Sequence, residues 1–347
     1  PGIEQLLIDF AEDWMAAGSR LQSVDLAAAS LVHRFNSRVR ANWISYFWGT
    51  AYLCLNGFLF HQAMQHYAAE GASQLVQLAR GAGACLNLNA AIILLPMCKA
   101  LVSAIQGSFF GSILPIKDAV AAHKIVGYLI ALFSSIHIIA HVKNYIDLEV
   151  GVAYMILSTD IGITGVIATL TLILIIVSSA ILRKRSHQWF SILHLAYALF
   201  LVANIYHGTD YWKWLLIPMA LFGLDSLFRF LWKTRKVEIT ELKSLADNVT
   251  SVRMKKSKWF RFSPGDYLWL KIPILSRWQW HPFTISAAPE ADYFDVHIKN
   301  AGDWSGALNN LSRKKNIETI MWPATIDGPY TAPASHIKKS DVAILIA

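Results

Sequence analysis

The chain has 347 residues, of which 55% are hydrophobic and 16% charged, with a formal net charge of +8 and a mean hydropathy of +0.39. That is too apolar for an ordinary soluble protein and too charged for one embedded wholly in lipid. The positive charge gathers at the flanks of apolar runs, so it calls for no nucleic-acid partner.

Residues 1–40 read as an N-terminal amphipathic segment on the cytosolic side. "IEQLLIDFAEDWMAAGSRLQSVDLAAASLVH" sets apolar residues at helical spacing among acidic ones, which suits packing along the membrane face or on an upstream domain. No signal peptide with a basic start opens the chain. A proline stands first and the apolar run "DVAILIA" last, so the expectation is an excerpt of a longer protein.

Residues 41–232 carry six apolar runs: Ala41–Phe60, Gly81–Cys98, Ile125–Val142, Ile161–Leu182, Ser186–Thr209 and Tyr211–Trp232. A hydrocarbon core of ~30 Å takes about 20 helical residues, so each is expected to span a bilayer. In the sixth run Asp225 and Arg229 stand four apart, a spacing that pairs them on one helix face. Basic residues alternate between connections: Arg34, Arg38 and Arg40, then Lys99, Lys117 and Lys124, then Arg183, Lys184 and Arg185, then Lys233, Arg235 and Lys236. The positive-inside rule puts these loops, and both ends of the bundle, in the cytosol. Cys54, Cys85 and Cys98 all fall within runs and read as small buried apolar residues, not as a disulfide framework.

After Trp232 the texture changes. Short alternating runs, "KVEITEL", "VTSVRMK", "DYLWLKI" and "YFDVHIK", are separated by turn signals such as "SPGD". Residues 233–335 are therefore expected to form a cytosolic antiparallel β-domain. Residues 336–347, ending in "DVAILIA", read as the first strand of a following α/β domain.

The costly residues are the histidines, since polar groups in lipid need partners. His123 and His137 are fourteen apart in the third run, hence on roughly one face and about 21 Å apart along the axis. His194 and His207, thirteen apart in the fifth run, rise about 19.5 Å but differ by roughly 140° in direction. Facing the same way would take a distorted or tilted helix, or a π-bulge. Both runs cross in the same direction, so His123 pairs in depth with His194 and His137 with His207. Two imidazoles saturate a haem iron for electron transfer, and ligation would satisfy the histidines. Histidines hydrogen-bonded within the bundle, or a histidine-chain proton-coupled transporter, are the alternatives. The transporter leaves the β-domain without a purpose.

The stretches "RGAGACLNLNAAIILLPMC", "HKIVGYLIALFSSIHIIAH", "GITGV", "SPGDYLWLKIP", "HPFTISAAPE", "VHIKNAGDW" and "DGPY" occur in this order. With them the chain resembles the NADPH oxidase family of the ferric reductase superfamily from about Arg80 onward. The resemblance implies a membrane all-α six-helix bundle followed by a cytosolic antiparallel β-barrel of ferredoxin-reductase type, cut before the nicotinamide-binding α/β domain. It implies electron transfer from NADPH through FAD and two b-type haems to dioxygen, giving superoxide or hydrogen peroxide outside, in the plasma membrane. His123 and His194 would hold the inner haem and His137 and His207 the outer, with Phe200 between them. His281, Pro282, Phe283, Thr284, Ile285, Ser286 and Ala287 would line the flavin. Lys299, where relatives commonly carry arginine, would sit near its pyrophosphate, keeping the charge but not the bidentate fork. One branch of the family adds an upstream calcium-binding regulatory domain, and a regulatory subunit is the other partner to expect. The resemblance also admits a transmembrane ferric or cupric metalloreductase.

His141, one turn beyond His137, is left unused by haem pairing, and Arg80 enters the second run from outside. The pair is a candidate oxygen site, where preorganised positive charge stabilises the charge that develops on the acceptor.

Overall fold

The computed structural model describes residues 37, 39–40, 42–314 and 322–332. The expected amphipathic segment almost entirely, Arg34 and Arg38, and the expected strand within 336–347 lie outside the described residues. The chain divides into two units, Pro1–Cys54 and Leu55–Ala347. In the first, residues 42–54 are helical. Everything below concerns the second.

The second unit begins with α1 (residues 55–69), followed by α2 (Gln74–Ile92), α3 (Lys99–Gln106), α4 (Ala119–Asp147), α5 (Val152–Leu157) and α6 (Asp160–Val177). A π-helical turn, Ser178–Leu182, leads to α7 (Arg183–Arg185), α8 (His187–His194), α9 (Tyr197–His207) and α10 (Tyr211–Phe228). Five helical stretches among the described residues are long and apolar enough to cross a membrane: Gln74–Met97, Ile116–Asp147, Asp160–Arg185, His187–His207 and Tyr211–Lys233. They coincide with the second to sixth expected spans. The first expected run is helical from residue 42 onward but is not among these five, so a count of six is not confirmed among the described residues.

Large apolar side chains such as Tyr128, Ile139, Leu170 and Ile217 stand exposed on these helices, the surface that lipid tails cover without cost. The interior is joined by small and polar groups, as expected where no hydrophobic drive separates protein from lipid. Asn89 Nδ2 donates to Asn56 Oδ1 (2.6 Å), and Ser73 Oγ to Asn144 Oδ1 (2.7 Å). Cys85 and Cys98 are buried as expected; Cys54 is exposed.

Six strands follow: β1 (Thr234–Ser244), β2 (Val249–Lys255), β3 (Tyr267–Lys271), β4 (His281–Thr284), β5 (Tyr293–Lys299) and, after helix α11 (Asp303–Lys314), β6 (Trp322–Tyr330). All pairings are antiparallel, in the order β4-β3-β6-β1-β2-β5. Ser286 N donates to Asp295 O (2.9 Å), drawing the two ends of the sheet into a nearly closed barrel. Its core holds Met254, Leu268, Leu270, Phe294, Val296 and Ile326 at 2% exposure or less. The sequence reading missed α11, although Trp304, Leu308 and Leu311 recur at helical spacing and pack on that core.

Barrel and bundle meet through buried charge. Arg229 Nε donates to Asp225 Oδ2 (3.0 Å), the pairing expected from the sequence, and Arg229 Nη1 to Asp327 Oδ2 (3.2 Å) on β6. Asp225 Oδ1 also accepts from Leu101 N at the start of α3 (2.9 Å), and Tyr330 donates its hydroxyl to Asp327. Lys99 lies over the Trp269 ring at 3.5 Å. Burial and the neighbouring Arg229 charge push its ammonium down to about 8.

Candidate functional site

Helix α4 is continuous from Ala119 to Asp147 and carries His123, His137 and His141. The fifth run is broken: α8 ends at His194, Leu195 and Ala196 form a turn, and α9 resumes at Tyr197. This is the distortion that the 140° offset demanded, supplied by a break and not by a π-bulge at that point. It turns both histidines toward α4. The His123 and His194 ring centroids are 6.2 Å apart, and those of His137 and His207 are 6.0 Å apart.

Each ring is held from behind. His123 Nδ1 meets Ile93 O at 3.0 Å, His137 Nδ1 meets Ala79 O at 2.9 Å, and His207 Nδ1 meets Ile161 O at 2.9 Å. A carbonyl only accepts, so these three nitrogens donate. His194 Nδ1 meets Ser179 Oγ at 3.2 Å, and that hydroxyl already donates to Ile175 O (2.7 Å), so the imidazole donates here too. All four rings therefore keep their proton on Nδ1 and present the Nε2 lone pair, the tautomer that second-shell acceptors impose on metal-bound histidine.

The spacing fits a haem. A metal–imidazole bond of about 2 Å, plus about 1.1 Å from nitrogen to ring centroid, sets two axial rings roughly 6 Å apart. The glycines fit as well. A Cβ on Gly165 would lie 2.9 Å from His207 Cε1, so "GITGV" lets that ring lie against α6. A Cβ on Gly127, one turn from His123, would meet nothing within 4 Å.

Phe200 lies on α9 between His194 and His207, half-buried, and packs on the cluster of Ala90, Leu94, Leu201, Tyr211 and Leu215. At the far end His141 packs edge-on to His137 (4.7 Å) and stacks on Tyr145 (5.9 Å). Arg80 is exposed, with its guanidinium 5.0 Å from the Tyr67 ring centre, and lies within electrostatic reach of His137, His141 and His207.

In the barrel, β4 alternates. His281 and Phe283 turn inward against Trp304, at 4.3 and 5.9 Å between centroids, while Pro282 and Thr284 are exposed. The residues expected to line the flavin do not form one continuous strand. The strand stops at Thr284, Ile285 is buried in the core, and Ala287 packs against it. Ser286 Oγ is committed to β5: it donates to Asp295 O (3.0 Å) and lies 2.8 Å from His297 Nδ1. Ser286 therefore does not share the free hydroxyl face of Thr284, because its side chain helps close the barrel. Lys299 is exposed at the end of β5. The buried Trp304 Nε1 has no partner among the described residues.

One element was not foreseen. His281 lies 5.8 Å from His187, His187 lies 5.8 Å from Phe190, and Phe190 lies 5.1 Å from His194. Rings thus run unbroken from the "HPFT" strand to the inner histidine pair. His187 was visible only as one more residue in an apolar run.

Burial, then the neighbouring His187, depresses His281 to about 4. The folded protein therefore resists a proton that the unfolded chain accepts near 6.5, so stability is full above that pH and falls as pH drops toward 4. Discounted for partial exposure, the loss is about 1–2 kcal/mol. In flavin-free protein, His281→Gln is expected to remove that part of the pH dependence of thermal unfolding between pH 7 and 4.

Two family models match: a ferric reductase like transmembrane component over residues 87–205 and an FAD-binding domain over residues 234–334. Human NADPH oxidase 5 is 30% identical over an alignment covering 100% of this chain and 51% of that protein. Mouse NADPH oxidase 1 is 26% identical, over 94% of this chain and 70% of that protein. A superoxide-generating NADPH oxidase heavy chain from Dictyostelium discoideum is 29% identical, over 78% and 59%. The chain thus spans about half the length of the first of these relatives.

Proposed function

The chain belongs to the NADPH oxidase family, and on that premise we propose that it is the membrane and flavin-binding part of an enzyme moving electrons from NADPH to dioxygen. The route runs through FAD and two b-type haems and yields superoxide or hydrogen peroxide. The carrying observation is the pair of cross-helix histidine pairs, 6.2 and 6.0 Å between centroids, all four with Nδ1 engaged.

When bound, flavin would convert a two-electron donor into single electrons and haem iron would pass them across the bilayer. The residues supply the rest. His123 with His194, and His137 with His207, hold the iron positions from two helices, so their spacing is set by packing. Phe200, which falls between the two histidines of the fifth run, would supply an aromatic ring between the pairs. Thr284 and the "HPFT" backbone seat the flavin, and His187 and Phe190 bridge toward the inner pair. With two histidines assigned to each iron, neither would be left open to the acceptor, which would instead meet protein at the outer end. There His141 and Arg80 offer donors and positive charge where negative charge develops. In this reading the protein is multi-pass in the plasma membrane, with the barrel cytosolic. That side is also where Lys99, Arg183, Lys184 and Arg185 lie in sequence.

The test is to reduce the haem-loaded chain chemically and follow its reoxidation. Oxygen should outrun a chelated ferric salt at equal concentration, and the reverse order would favour a metalloreductase. His141→Ala with Arg80→Ser is expected to slow oxygen-driven reoxidation by at least about tenfold with haem content intact, a modest share of what a preorganised donor contributes to a rate.

A further inference from the structure

The loop between β2 and β3, "KSKWFRF" over residues 256–262, has no part in the proposed electron route. Its placement follows from register. Met254 pairs with Ile239, so the loop leaves β2 heading back toward the start of β1, and it re-enters β3 at Tyr267, opposite Tyr330. Lys256, Ser257 and Phe260 line one groove with Arg235, Lys236 and Val237. Arg235 comes two residues after the last membrane-crossing stretch, which ends at Lys233. The loop therefore runs along the rim of the barrel that faces the bundle.

Its side chains alternate. Phe260 and Phe262 are 3% and 8% exposed, and Phe260 packs on Phe294 at 4.7 Å. These anchors fix the backbone, so Trp259, 84% exposed, is held outward with Lys258 and Arg261 on either side. Lys256 is tied to Pro289 O and Ala291 O. The loop lines an open pocket of about 500 Å³ with Lys256, Lys258 and Arg261, together with Asp292. Asp292, with Glu238 in the adjoining groove, is the acidic counterweight, and the cations outnumber it. Above this rim, Phe230 and Trp232 in the last turns of the membrane stretch are 73% and 56% exposed.

We propose that this rim, residues 256–262 with Arg235 and Lys236, binds anionic lipid headgroups of the leaflet on the barrel side, with Trp259 seated at the interface. Tryptophan favours the headgroup level because its ring is apolar and its N–H is polar. Clustered lysine and arginine beside a membrane stretch are drawn to an anionic surface. The contact orients the barrel beneath the bundle from the outside, in addition to the buried ion pairs. It depends on the chain being seated in a membrane and not on the identity of the electron acceptor.

The full chain in nanodiscs of phosphatidylcholine, with and without phosphatidylserine, tests it by hydrogen exchange over residues 256–262. Anionic lipid should protect this loop, and Lys258→Ala with Arg261→Ala should abolish the difference. In detergent, the same double variant should weaken the apparent affinity for short-chain phosphatidylserine by roughly 30-fold, the product of two near-surface cations. Trp259→Ala should reduce protection without lowering the unfolding temperature, since the side chain is exposed. Arg277→Ala, an exposed cation on the β3–β4 connection, is the control and should change nothing. Equal protection in both discs, an equal loss in the control, or full protection by inorganic phosphate alone would overturn the proposal.

Discussion

Replacing His137 with alanine is expected to leave the chain with one haem in place of two, halving the Soret absorbance per polypeptide. The ring is one of a pair whose spacing matches an iron with two axial imidazoles, and no second histidine can take over its position. His141 is only 4.7 Å from His137 but stacks on Tyr145 and sits one turn further along α4. Alanine at His123, His194 or His207 should each cost one haem in the same way. Gly165→Ala gives an independent check, because it removes no ligand. Its Cβ would fall 2.9 Å from His207 Cε1, so the ring must move and the outer haem should weaken selectively. Two haems retained after losing His137 would overturn the assignment, and so would one haem in the unaltered chain.

Arg229→Met is expected to be the most destabilising single change at the junction between bundle and barrel, by about 3–5 kcal/mol, the usual consequence of removing one partner of a buried ion pair. The change strands two carboxylates, Asp225 and Asp327, whose side chains are 3% and 7% exposed. Neutralising all three positions together, with Asp225→Asn, Arg229→Met and Asp327→Asn, should recover most of the loss, because no buried charge is then left alone. Unfolding temperature of the three single variants and the triple, in one detergent, makes the comparison. A triple variant no better than Arg229→Met would show that the arginine acts through packing and not through its charge.

Much of this architecture was legible from periodicity and composition. Runs of about 20 apolar residues have few structures open to them, because unsatisfied backbone in lipid is too costly, so five spans emerged where they were expected. Alternation in "VTSVRMK" and "YFDVHIK" marked strands β2 and β5, and "SPGD" marked the turn before β3. The misses have physical causes. Helix α11 was hidden in a stretch otherwise read as barrel, although its apolar spacing was present. Among the residues expected to line the flavin, Ser286 is engaged by β5, because barrel closure ends the strand at Thr284 and draws in its side chain.

The sequence by itself determined which residues would be costly in the membrane, and at what depths: four histidines on two parallel runs, in matched pairs. It also determined the Asp225–Arg229 pairing, which one helix face makes local. Tertiary structure alone decided the rest. The break at Leu195–Ala196 turns His194 and His207 toward α4, which an unbroken helix could not do. The acceptors that orient the four rings, Ala79, Ile93, Ile161 and Ser179, come from other helices or the turns beside them, at sequence separations that no local pattern encodes. Asp327 joins Arg229 from 98 residues away, and His187 meets His281 across the junction of bundle and barrel. Such contacts depend on how packed elements meet in space, and periodicity specifies only which face each element presents.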